Sequence, residues 1–226
     1  GDHFGDFGLS AMQETLDLYR ANHLPYYGGG ENADQARQAV TFEHNGNRIA
    51  FIGCNAKGIN YYASATDTSP GAVACDLDWM SAEIARLKEA GYLVIATFQH
   101  IEYDSYNPDP VLKNDMQRVA QAGAAIVSGS QAHQPHGMTF LDGSFIHYGL
   151  GNLFFDQYLF YKGGELNYGF IDWHIFYGGK YISTQLITIS WVDLAKNRLT
   201  TPAEREKFLE MIFNASGWLE EAPAIP

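Results

Sequence analysis

Apolar residues recur along this chain with two different periods, and each change of period marks an element. Leu9, Met12, Leu16 and Tyr19 fall three to four residues apart, which predicts an amphipathic helix reaching about Asn22, with Ser10 and Gln13 as a capping box at its start. After the Gly28-Gly29-Gly30 turn, Ala39 to Glu43 and Arg48 to Gly53 flank Asn45-Gly46, which predicts a hairpin ending in a buried strand. Helical spacing returns with Met80, Ile84 and Leu87 inside Asp78 to Ala90, and Gly91 stops it. Tyr92 to Phe98 reads as a strand, Pro108 and Pro110 open a helix through Ala122, and Ala124 to Ser128 is the next apolar strand. Strand, helix and strand in alternation predict a layered α/β domain.

From Met138 onward the elements shorten into strands: Met138 to Leu141, a turn at Asp142-Gly143, Phe145 to Tyr148, and a long hairpin pivoting on Gly178-Gly179. A last helix is expected from Pro202 to Phe213. With 226 residues, 46% of them hydrophobic and only 18% charged, the chain suffices for one domain over residues 1–219, followed by a disordered tail at 220–226.

Charge narrows the classes of function. Acidic residues outnumber basic ones 26 to 14, and no Lys/Arg cluster exists, which argues against a nucleic-acid-binding face. No run of about 18 apolar residues is present to span a membrane as a helix. The chain opens on Gly1-Asp2-His3, inside a motif, so the native N-terminus is expected to lie upstream. Cys54 and Cys75 bracket a loop-like stretch; a disulfide and two free thiols are both open readings, and their spacing does not suggest a zinc site.

Open α/β sheets bind ligands at the carboxyl ends of their strands. Four polar clusters follow apolar stretches here: Asp2-His3 with Asp6, Gln99 to Glu102, Ser130 to His136, and Gly149 to Asn152 with Asp156. Imidazole, carboxylate and amide groups of this kind can ligate a divalent cation, and a metal pair can polarise a phosphoryl oxygen.

Those same segments carry a resemblance. Asp2-His3-Phe4-Gly5-Asp6-Phe7-Gly8, then Leu24-Pro25-Tyr26-Tyr27-Gly28-Gly29-Gly30-Glu31-Asn32, then Gly129 to His133, and finally Tyr148-Gly149-Leu150-Gly151-Asn152 stand in the order of motifs in the bacterial capsule synthesis proteins of CapA type. The chain resembles that family from residue 1 to about residue 157. The resemblance implies a metallophosphoesterase-like four-layer α/β/β/α sandwich whose N-terminal strands are missing from this chain. It also implies a place in the biosynthesis of a capsular or poly-γ-glutamate type polymer, outside the cytoplasm at the cell envelope. The expected partners are the anionic polymer or its phosphorylated precursor and membrane-bound polymer synthase subunits.

Carried over by position, His3 is the catalytic acid and Asp6 the group that holds it, while Asp2, His133 and Gln131 are the candidate ligands of a divalent metal (Mn, Zn or Fe). His100, Glu102, His136 and Asn152 are the candidate substrate contacts, and His3, His133 or Gln131, and His100 or Glu102 are expected to converge on one cleft. There are departures from the family pattern. Asp2 stands where it has Asn, Gly129-Ser130-Gln131-Ala132-His133 replaces Gly-His-His-Pro-His, and Phe98-Gln99-His100 replaces His-Trp-Gly. Two imidazoles are thereby lost, which leaves two readings open: a metal-dependent phosphoesterase-like hydrolase, or a non-catalytic polymer-binding or assembly subunit.

Overall fold

The computed structural model describes residues 1–56, 63–101, 104–154, 168–193 and 196–219. In chain order its elements are a 3-10 turn η1 (Asp2–Gly5), α1 (Gly8–Ala21), β1 (Gly29–Gly30), α2 (Ala33–Ala36), β2 (Val40–His44), β3 (Asn47–Asn55), β4 (Gly71–Ala72), α3 (Leu77–Glu89), β5 (Leu93–Gln99), α4 (Pro110–Ala122), β6 (Ile126–Ser130), β7 (Met138–Leu141), β8 (Ser144–His147), β9 (Tyr168–Tyr177), β10 (Lys180–Asp193), β11 (Lys196–Leu199) and α5 (Pro202–Ala215). The sequence periods locate the longer elements, but not the short η1, β1, α2, β4 or β11. The expected tail at 220–226 lies outside the described residues, as do Glu102 and Asp156.

Six strands form the larger sheet in the order β2-β3-β5-β6-β8-β7. β3, β5, β6 and β8 run parallel, and β2 and β7 close the two sides antiparallel. Helices α3 and α4 cover one face, because alternate strand residues Ala50, Ile52, Val94, Ala96, Phe98, Val127 and Ile146 point that way and meet Met80, Ile84, Leu87, Leu112, Met116 and Val119. The other alternation, Ile95, Ile126 and Phe145, meets Phe170 of the antiparallel sheet β11-β10-β9 and Phe208 and Ile212 of α5. The layers in view are thus helices, large sheet and small sheet.

Helix ends follow local chemistry. Asp76 accepts from the backbone N–H of Asp78 and Trp79 at the start of α3, and Asp109 caps α4 just before Pro110. Gly123 ends α4 in the left-handed conformation, and Thr201 with Glu204 forms a capping box on α5. The capping box expected at Ser10 is not there. The chain leaves η1 already coiled at Asp6, α1 starts at Gly8, and the Ser10 hydroxyl, one turn inside, donates to Glu14 at 3.3 Å.

Cys54 and Cys75 are joined by a disulfide. Around it the Asn55 N–H donates to the Val73 carbonyl (2.8 Å), the Cys75 N–H to the Asn55 carbonyl (3.0 Å) and the Val73 N–H to the Gly28 carbonyl (3.0 Å). The end of β3 is therefore tied both to the loop before α3 and to the glycine turn at β1. Among the described residues no helix is long and apolar enough to cross a membrane.

Candidate functional site

β3, β5 and β6 each run one or two residues farther than their apolar runs suggest, and this brings Asn55, Gln99 and Ser130 into lateral register at the carboxyl edge of the sheet. η1 lies across that edge. Its Asp2 is buried, with the N–H donating to Gln99 Oε1 at 2.9 Å. The Gln99 amide nitrogen donates in turn to Asp2 Oδ1 and to Gln131 Oε1, while Gln131 Nε2 donates to Asp2 Oδ2 at 3.4 Å. One carboxylate and two carboxamides thus form a closed ring, in which both carboxylate oxygens accept from amide groups. Hydrogen bonding of this kind is what makes a buried carboxylate tolerable.

Gln131 reaches Asp2 only because the backbone turns sharply after β6. Its φ of 83° is left-handed, a conformation that costs an ordinary side chain about 1–2 kcal/mol. Beside the ring is a cavity of about 200 Å³ lined by Tyr27, Asn55, Thr97, Gln99, Ser130 and backbone of Gly28 and Gly53. Gly53 has to be glycine: a Cβ there would sit 2.4 Å from Thr97 Oγ1.

Two further loops meet at the same edge. A Cβ on Gly129 would lie 2.0 Å from the Tyr148 carbonyl oxygen, and one on Gly149 would lie 2.7 Å from Ala132 and His136, so their absence lets the chains after β6 and β8 pack closely. That contact pairs His133 with Asn152. His133 Nδ1 donates to Asn152 Oδ1 at 2.9 Å, and Asn152 Nδ2 returns to the His133 carbonyl at 3.4 Å. His3 is exposed, and its Nδ1 donates to Asp6 Oδ2 at 2.8 Å, so Asp6 fixes its ring.

Not every expected group arrives. His100 follows Gln99 directly and, by the two-residue period of a strand, points to the opposite face, where its Nε2 donates to Asp115 Oδ2 of α4 at 3.0 Å. The expected convergence of His100 with the Asp2 cluster is therefore corrected. His136 is corrected as a substrate contact too: it is fully buried behind Gly149, donates to the Ser105 carbonyl at 2.5 Å, and its pKa is pushed down by burial. Glu102 lies outside the described residues.

The expected metal set fares unevenly. Asp2 and Gln131 meet, but Asp2 is enclosed by amide donors and His133 is held by Asn152. Among the described residues no group of three His, Cys, Asp or Glu side chains comes together to hold a metal ion, so these residues alone do not fit a divalent metal centre. Gln99, which the sequence places in a polar cluster without a role, is the main added site residue, along with Asn55, Tyr27 and Thr97. Its signal was position at a strand end rather than chemistry.

Comparison with known proteins adds the following. The bacterial capsule synthesis protein family PGA_cap matches residues 1–157. The chain is 30% identical over 164 residues to the capsule biosynthesis protein CapA of Bacillus anthracis, covering 69% of this chain and 39% of that protein. It is 29% identical over 163 residues to the PGA biosynthesis protein CapA of Bacillus subtilis (strain 168), covering 69% and 41%. The chain thus spans about two fifths of the length of these curated relatives, 39% and 41%. Among solved structures, the NAD nucleotidase NadN of Haemophilus influenzae superimposes with a TM-score of 0.51 over 95% of this chain and 45% of that one, at 11% identity. That likeness shows the fold alone, a mixed α/β arrangement of parallel and antiparallel strands shared with that nucleotidase.

Proposed function

The chain belongs to the bacterial capsule synthesis protein family, and we propose that it takes part, outside the cytoplasm at the cell envelope, in the biosynthesis of an anionic capsular polymer of poly-γ-glutamate type. Its part is to hold the polymer or its phosphorylated precursor at the carboxyl-edge cavity while membrane-bound synthase subunits act on it. The observation that supports holding over hydrolysis is the closed ring of Asp2, Gln99 and Gln131, which already satisfies the carboxylate that would otherwise serve as a ligand. Asn55, Thr97, Gln99 and Ser130 offer uncharged donors and acceptors, and no Lys or Arg is among the residues lining the cavity. Such a lining pairs with the backbone amides of a polyglutamate rather than with its carboxylates.

The exposed imidazole of His3, fixed by Asp6, favours a second reading in which the full-length protein also cleaves a phosphoester or acyl phosphate, with His3 delivering a proton to the leaving group. The two readings separate experimentally. Under the first, the full-length protein binds poly-γ-glutamate in calorimetry, and Gln99→Ala weakens binding about tenfold, the equivalent of one lost hydrogen bond. Absence of binding, or binding indifferent to Gln99→Ala, rejects that reading. Turnover of a generic phosphodiester by the full-length protein supplied with manganese, zinc or iron, falling about a hundredfold in His3→Ala, establishes the second.

A further inference from the structure

The end of β3 divides two cavities. Gly53, Cys54 and Asn55 line the carboxyl-edge cavity of about 200 Å³. By the two-residue period of the strand the Cys54 side chain turns to the helix side, where its Sγ packs 3.6 Å from Met80 Sδ and the residue is only 6% exposed. Its partner Cys75 is partly exposed and lines, with Leu77, His100 and Asp115, a second cavity of about 280 Å³ on the helix side. Asn55 lines both cavities. The two ends of one disulfide are thus unequal: Cys54 is packed in the core, and Cys75 borders a space that admits another side chain.

What the disulfide holds is the wall of the candidate site. The Asn55 N–H donates to the Val73 carbonyl and the Cys75 N–H to the Asn55 carbonyl, so the loop ending at Cys75 is tied along the last residue of β3. One step farther, the Val73 N–H donates to the carbonyl of Gly28, which also lines the carboxyl-edge cavity. The loop stays docked when the disulfide opens, because the Ala33 N–H still donates to the Thr66 carbonyl at 2.8 Å and β4 still pairs with β1. It is then held by backbone bonds alone, and these open locally at a lower cost than global unfolding.

We propose that Cys75 is a thiol-exchange site, through which an external dithiol opens the Cys54–Cys75 bond and loosens Asn55 and Gly28 at the carboxyl-edge cavity. A thiolate of the dithiol attacks Cys75 Sγ, the disulfide breaks, and Cys54 leaves as a thiolate that takes up a proton, the form its apolar burial favours. The second thiol of the reagent then attacks the mixed disulfide at the reagent's own sulfur and frees Cys75 as its thiol. The protein gains two electrons and two protons, and the dithiol becomes a disulfide. Oxidising surroundings keep such a bond closed, so the cavity wall is held there and loosened where a dithiol is supplied. The exchange site stands on the geometry of the two cysteines, while its effect on polymer holding rests on the reading under Proposed function.

Dithiothreitol acting on the folded full-length protein tests the proposal. Alkylation and mass analysis should show both cysteines released without denaturant, at a rate that urea below the unfolding transition leaves unchanged. A rate that climbs with urea together with the unfolded fraction overturns the proposal. Single variants locate the point of attack: oxidised glutathione should cap Cys75 in Cys54→Ser at least about tenfold faster than Cys54 in Cys75→Ser, and equal rates or the opposite order overturn it. In the reduced protein the Asn55 and Val73 amides should exchange hydrogen at least about tenfold faster than in the oxidised protein, and unchanged protection overturns the loosening. Poly-γ-glutamate should bind the reduced protein about tenfold more weakly, and equal binding by both forms overturns control of the site. Absence of binding even by the oxidised protein rejects the polymer reading alone, because the reduction, capping and exchange readouts involve no polymer.

Discussion

The two faces of the six-stranded sheet are built from the same strands and yet differ in almost every property. Toward α3 and α4 the side chains of β3, β5, β6 and β8 are aliphatic or aromatic, buried, and closed over by two amphipathic helices. Toward the small sheet the alternate residues of the same strands include Thr97, Gln99 and His147, and the cover is incomplete. The helix side is what holds the domain together. The open side is where polar groups gather, since the Asp2 ring and the carboxyl-edge cavity both lie there. A lone strand sequence does not reveal this division, because both alternations of β5 are largely apolar.

If the helix side carries the stability, truncating it should cost far more than truncating the open side. Phe98→Ala, at a fully buried position among α3 and α4, is expected to cost about 3–5 kcal/mol in chemical unfolding. Phe42→Ala, on β2 at the margin of the open side and 43% exposed, should cost less than about 1 kcal/mol. Equal losses would erase the contrast. The disulfide belongs to the helix side as well, because Cys54 packs in that cluster. It closes a loop with a sequence separation of 21, and replacing both cysteines with alanine should cost about 3 kcal/mol. A double variant as stable as the parent would show that the hydrogen bonds around Asn55 suffice.

Changes on the open side should be smaller and more local. Gln99→Ala removes donors from Asp2 and Gln131 together and should cost about 1–3 kcal/mol, the range for leaving a buried polar group unsatisfied. At position 131 two variants separate strain from bonding. Ala loses the side-chain bonds and keeps the left-handed backbone, while Gly loses the bonds and relieves the backbone, so Gly should be the more stable by about 1 kcal/mol. Ala equal to or better than Gly would mean that the turn after β6 relaxes once the ring is broken.

The elements were legible in the sequence because their periods are strong; the site was legible only in part. Met80, Ile84 and Leu87 mark the buried stripe of α3 without ambiguity, and Met138 to Leu141 appears as the strand it was read to be. His100 was favoured over Gln99 on chemistry, but strand parity decides which of two neighbours enters a site, and a shift of one residue reverses the answer. β5 gave no marker for that parity, since Leu93, Val94, Ile95 and Ala96 are apolar on both faces. The His147–Asp172 pair, 2.7 Å apart and buried between the sheets, was beyond reach for another reason. It joins β8 to β9, whose packing no local pattern announces. The start of α1 was misplaced because a serine followed three residues later by glutamine looks the same at a helix start and one turn inside.

The smallest expected effect concerns pH and again separates the two faces. His136 and His174 both have pKa values pushed below the ordinary 6.5, in each case mainly by burial, and the neighbouring His147 adds to the lowering. Partial offsets come from the Ser105 carbonyl at His136 and from Asp172 at His174. The folded protein keeps these imidazoles neutral, while the unfolded chain protonates them near 6.5. Between that value and the lowered folded values the unfolded state binds more protons, so stability is complete above about pH 6.5 and is lost as pH falls toward the folded values. The denaturant midpoint should therefore drop between about pH 7.5 and pH 5.5. His136→Gln and His174→Gln should each flatten the drop, even where the substitution lowers the midpoint overall. A midpoint that stays level across this range, or a slope unchanged in both variants, would show that burial on the open side does not hold these rings neutral, and that the inter-sheet space is wetter than the packing of Phe145, Phe170 and Phe208 implies.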